Sequence, residues 1–124
     1  MRTSKNPRKK YINGAFTFIS QDALASQLID VYYEMKQLPA DSTYRLYIQF
    51  DFLDSKAKKL IFRMLTILNS VSKKNSFPRL KIHYLYQWED EDMEELGLLM
   101  AEHLVDSVHL CQVDNNVRKN MRVV

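Results

Sequence analysis

Ser55 is the side chain in this sequence best placed to accept a transferred group. It follows Asp54 directly, so one hydroxyl stands beside one carboxylate, and Lys56, Lys58 and Lys59 come just after. Upstream, Tyr44, Leu46, Ile48, Phe50 and Phe52 alternate as in a half-buried strand. Downstream, Leu60, Ile61, Met64, Leu65 and Leu68 recur at helical spacing, with Phe62, Ile67 and Val71 widening the stripe. The pair therefore stands at a strand-to-helix joint. Residues of this type ordinarily cap the helix. A hydroxyl there could also carry phosphate, because unpaired N–H groups and the helix dipole tolerate negative charge. The lysines oppose that dipole. They point to an anion nearby: Asp54, an acidic stretch elsewhere, or a phosphate on Ser55.

A second charged feature is Trp88-Glu89-Asp90-Glu91-Asp92-Met93-Glu94-Glu95, with six acids in eight positions. Acids in a first helical turn are worth about 0.3–1 kcal/mol each and the effect fades beyond that turn. Helix stability therefore explains some of them and not obviously all; a surface that recruits a basic partner patch is the functional reading that stands beside it. Other chemistry is thinly represented. His83, His103 and His109 have no metal-ligand spacing to Cys or to each other, so no metal site is expected. Cys111 reads as a small apolar filler on a strand. Two distant glycines, Gly14 and Gly97, leave no phosphate-binding loop, and there is no Gly-x-Ser-x-Gly elbow. Asp54 as a catalytic base has no second group converging on it. No cofactor is expected, and the chain does not read as an enzyme.

The 124 residues suit one domain, with 46% hydrophobic residues for its core. No apolar run is long enough to span a bilayer, the N-terminus lacks a signal core, and a lone cysteine forms no internal disulfide. A cytoplasmic setting is expected. The net charge of +3 hides an asymmetry. Residues 1–10 carry five cations and no acid, and 114–124 carry three cations against Asp114, so the body between is acidic at −4. Basic ends read as solvated tails (1–10 and 114–124). Contact with nucleic acid through them is the alternative function.

The elements follow from local pattern. Asn13-Gly14 between apolar runs predicts a tight hairpin over Tyr11–Ile19. Ser20 then caps a helix carrying Leu24, Leu28, Ile29, Val31, Tyr32 and Met35, which ends near Pro39. After the strand and helix around Ser55, Leu80, Ile82, Tyr84 and Tyr86 alternate as a strand. The acidic run opens a third helix through Leu98, Leu99, Met100 and Leu104, and Val108–Val113 is a last strand. The order is a hairpin, then helix and strand three times. That is an α/β domain over residues 11–113 with a mixed, largely parallel sheet.

Two segments carry a family resemblance. Phe52-Leu53-Asp54-Ser55-Lys56-Ala57-Lys58-Lys59 resembles a Tyr-Phe-Asn-Thr-Ser-Ser-Ser-Lys segment that also follows a strand. Tyr84 to Gly97 resembles an aromatic strand followed by Glu-Asp-Asp-Glu-Asp-Met and a nearby glycine. Both belong to the SiaC-like group of bacterial regulatory phosphoproteins, similar in organisation to STAS-type anti-sigma-factor antagonists. The resemblance implies a non-enzymatic partner switch, phosphorylated by a dedicated Ser/Thr kinase and reset by a PP2C-type phosphatase. Unphosphorylated, such a protein binds a diguanylate cyclase and raises cyclic di-GMP, promoting biofilm. The acceptor falls on Ser55, and the partner-binding surface on Asp54, Ser55, Lys56 and Lys59 with Trp88, Glu89, Asp90, Glu91 and Asp92. The family's serine run is replaced here by Lys56-Ala57-Lys58, which changes the charge of the surface a kinase meets.

Overall fold

A computed structural model describes residues 8–104 and 106–113. The stretches expected as basic tails lie outside these, apart from Arg8, Lys9 and Lys10. The elements are β1 (Lys9–Phe16), α1 (Gln21–Lys36), β2 (Thr43–Leu53), α2 (Ser55–Ser72), β3 (Arg79–Gln87), α3 (Glu91–His103) and β4 (Val108–Val113). The strands form one sheet in the order β1-β2-β3-β4, and every neighbouring pair is parallel. The α/β class expected from the alternating patterns is the observed one. Each helix connects adjacent parallel strands. Right-handed crossovers between successive neighbours place all three helices on the same face. There α2 packs between α1 and α3.

The expected hairpin is absent. Asn13 and Gly14 lie inside β1, which runs parallel to β2 from end to end. A type I′ turn needs positive φ at both central residues. Only Gly14 has it, at 121°. The glycine instead serves a register shift: Gly14 pairs with Phe50 and Ala15 with Phe52, leaving Asp51 as the extra residue. This shift breaks the alternation of β2. Phe50 and Leu53 are buried, whereas Phe52, expected inside, is exposed.

Beyond β1 the chain makes a turn rather than a second strand. Thr17 N–H donates to Ser20 Oγ at 2.9 Å, and Ser20 N–H to the Thr17 carbonyl at 3.0 Å. The core lies between sheet and helices. Leu24, Leu28, Val31 and Met35 of α1 and Ile61 and Leu65 of α2 meet Leu46, Ile48, Ile82 and Tyr84 of the strands, all fully buried. Ile29 and Ile67, counted in the helical stripes, are instead exposed and flank an apolar cleft between α1 and α2. Each stripe is wider than the sheet can cover.

Among the described residues, no helix lies on the opposite face of the sheet. Tyr11, Tyr47, His83 and His109 occupy one register row across all four strands. Their rings stack in succession at 4.7, 4.5 and 5.4 Å between centroids. Cys111 belongs to this same face on the edge strand β4 and is exposed, not the buried filler its type suggested.

Gly97 sets how closely α3 lies on the sheet. A Cβ there would fall 2.6 Å from Tyr84 Cε1 and 3.0 Å from Leu110 Cδ2. The same Tyr84 donates its hydroxyl to the Met93 carbonyl at 2.5 Å, and burial holds its phenol protonated well above the usual range. Gly97→Ala should therefore push α3 off a rigid ring and cost about 1–3 kcal/mol. Urea unfolding checks this: the midpoint falls while the slope is unchanged.

Candidate functional site

Asp54 is the N-cap of α2 and Ser55 is its first helical residue. The ambiguity in the sequence is thereby resolved in favour of the carboxylate as cap. Asp54 Oδ1 accepts from Ala57 N–H at 2.9 Å, satisfying one of the unpaired donors of the first turn. Its second oxygen, Oδ2, accepts from Phe18 N–H at 2.8 Å. One side chain thus ties the end of β2, the start of α2 and the turn between β1 and α1. The hydrogen bonds from Ala57 and Phe18 hold the Asp54 carboxyl below its ordinary pKa of 3.8. Asp54 is committed inward, while Ser55 is exposed and its hydroxyl bonds no described residue.

Around Ser55 lies an unusual concentration of exposed apolar side chains. Phe18 is 58% exposed and Ile19 89%, both on the turn that Asp54 anchors; Phe52 is 49% exposed at the shifted end of β2. Sequence patterning placed Phe18 in a strand that does not form and Phe52 on the buried face of a strand that does, and so missed both. The signals that mark them are Gly14, which permits the register shift, and Ser20, whose hydroxyl closes the turn.

The three lysines part company. Lys58 reaches α3 and pairs with Asp92, at 2.9 and 3.0 Å to its two carboxylate oxygens. The anion implied for this lysine is therefore the acidic run itself. Lys56 lies over the Phe18 ring, 5.1 Å from its centroid. Lys56 and Lys59, with Arg63, Gln21 and Leu60, line a shallow cleft of about 220 Å³ beside Ser55. At the start of α3, Asp90 is the N-cap and accepts from Met93 N–H at 3.2 Å. Glu91, Asp92 and Glu94 occupy the first turn, and Glu89 precedes them with a positive φ of 77°. Trp88 is 54% exposed. The Lys58–Asp92 bridge joins this acidic end to the Ser55 surface. Among the described residues no group of three or more His, Cys, Asp or Glu could hold a metal ion, and no helix is long and apolar enough to cross a membrane.

Fold and site together define a single α/β domain that displays a free hydroxyl at a capped helix start, between lysines and exposed aromatic rings. Residues 10–113 match the model of the SiaC family of regulatory phosphoproteins, and the chain belongs to that family. No curated protein and no solved structure matches it significantly. The chain is thus a regulatory phosphoprotein by family, and protein partners follow from that role.

Replacing Asp54 with Ala would strand the N–H groups of Ala57 and Phe18. The thermal midpoint should fall at neutral pH. A carboxyl whose pKa is lowered by folding stabilises the fold above its ordinary value and loses that contribution as pH drops through the folded one. The gap between wild type and Asp54→Ala should accordingly close in acid, as a thermal melt at each pH would show.

Proposed function

We propose that this chain is a partner-switching regulator whose state is set by phosphate on Ser55. The observation that carries the reading is the division of labour at the joint. Asp54 provides the cap, so Ser55 is free for modification without loss of the helix start. By family resemblance the partner is a diguanylate cyclase, the output cyclic di-GMP and biofilm control, and the modifying pair a Ser/Thr kinase and a PP2C-type phosphatase. The STAS-like organisation, the non-enzymatic role and a cytoplasmic setting belong to the same reading.

The partner-binding surface is centred on Ser55, Lys56 and Lys59. Phe18, Ile19 and Phe52 supply the apolar area that a protein partner would cover. Trp88, Glu89, Glu91 and Asp92 extend it across the Lys58–Asp92 bridge. Asp54 and Asp90 act within it as the caps that fix its shape. Phosphorylation adds roughly −1.5 to −2 charges at neutral pH. Placed among these rings, the phosphate must be desolvated when a partner covers it, and an unpaired desolvated charge is costly. Lys59 follows Ser55 by four positions on the helix, so a phosphate would also draw on a cation available to the partner. Meanwhile the helix N-terminus accepts the anion, and the fold survives.

Ser55→Asp should keep the circular dichroism spectrum and thermal midpoint of the wild type. It should lose the partner that wild type and Ser55→Ala both retain from host extract, by at least about tenfold in affinity once that partner is purified. Equal affinity of the Asp variant would contradict the proposal.

A further inference from the structure

The uncovered face of the sheet carries an arrangement that stability does not explain. All-parallel sheets are almost always covered on both faces. Here no described element covers one face, and that face is chemically graded along the strands. Lys9, Arg45 and Lys81 are direct register partners on three adjacent strands, with Arg79 one row further on. Like charges directly opposite one another destabilise a sheet, so this row costs the free protein stability. The ring ladder of Tyr11, Tyr47, His83 and His109 comes next. Beyond it is a neutral row of Asn13, Gln49, Leu85 and Cys111, with Asp51 at the far end of β2. The cations also bear on the ladder: Arg45 Nη1 stands 3.2 Å from His83 Nε2. Burial, His109, Arg45 and Lys81 together keep His83 below its ordinary pKa.

We infer that this open face docks an acidic segment of a partner protein, laid across the strands with its carboxylates over the Lys9-Arg45-Lys81 row. Charge complementarity selects the occupant. The chain's own ends are basic, with Arg2 and Lys5 at one and Arg118, Lys119 and Arg122 at the other, and so do not complement it. A second copy laid face to face with its strands parallel would oppose like rows, and with strands antiparallel would offer the cation row only the single carboxylate of Asp51. Nucleic acid satisfies the cations but not the rings. Single strands gain affinity by stacking bases on free aromatic faces, and here each ring covers its neighbour, while Lys9 Nζ stands 6.0 Å over the outer Tyr11. What the ladder offers is a line of polar tips, hydroxyl and imidazole, suited to carboxylates.

The test is a titration of the isotope-labelled full chain, followed by amide and imidazole NMR signals. Two probes of equal charge are used at the same ionic strength, a glutamate-rich peptide and a single-stranded oligonucleotide. The peptide should move the signals of Arg45, Tyr47, Lys81 and His83. Reversal of the row (Arg45→Glu with Lys81→Glu) should weaken it by at least about tenfold, while Ser55→Asp leaves it unchanged. That last arm separates this surface from the Ser55 surface, since either can fail alone. Arg45→Gln is the milder variant should the double reversal disturb folding, and relief of the like-charge row should raise its thermal midpoint. The proposal is overturned by shifts centred on Lys56, Lys59 and Arg63. It is equally overturned by peptide binding that ignores the charge reversal, by an oligonucleotide that binds the face as tightly, or by a face already buried between two copies in solution.

Discussion

The two hydrogen bonds accepted by Asp54 are the constraint on which the rest of the molecule's display depends. The turn at Phe18, distant in sequence, meets the joint of β2 and α2 at that carboxylate, which also holds the first turn of α2. Remove it and the turn keeps only its backbone tie to the joint, from Asp54 N–H to the Phe16 carbonyl. With it in place, Phe18 lies where Lys56 can cover its ring, and Phe52 is exposed near the end of the adjoining strand. The ordinary business of capping a helix therefore also shapes a surface. It releases the adjacent hydroxyl from structural duty as well, because a helix start needs only one such cap.

The one-sided architecture gives this small domain three kinds of surface. Its helical face is stapled by apolar packing and by the close seat of Gly97 under Tyr84. The edge where β2 runs into α2 carries the exposed rings and the free serine. The bare sheet face carries the cation row and the ring ladder. The acidic start of α3 is joined to the edge that carries Ser55 through Lys58 and Asp92. Part of the negative charge of that run is thereby paired, which lowers the self-repulsion that six close acids would otherwise create.

Much of this was legible in the sequence because period and burial coincide there. Leu80, Ile82, Tyr84 and Tyr86 alternate and are buried; Leu24, Leu28 and Met35 recur at helical spacing and are buried. The joint at Asp54 and Ser55 was legible for the same reason, lying where one period gives way to the other. The errors arose where a long-range effect overrode a local signal. Asn13-Gly14 has the chemistry of a turn, yet parallel pairing with β2 uses only the freedom of Gly14. Phe52 continues an alternation that one extra residue in β2 interrupts. Cys111 and Ile29 have the types of buried residues, but no described element lies over them. That the sheet would be covered on one side only is a property of strand order, which periodicity does not encode.

The claim that everything above converges on is that Ser55 carries the switch. Phosphosite mass spectrometry on the chain isolated from its native host, across growth conditions, addresses it most directly. Phosphate on Ser55 whose occupancy changes with condition is the result the proposal requires. Full coverage of the peptide through Phe52-Leu53-Asp54-Ser55 with no phosphate in any condition would contradict it.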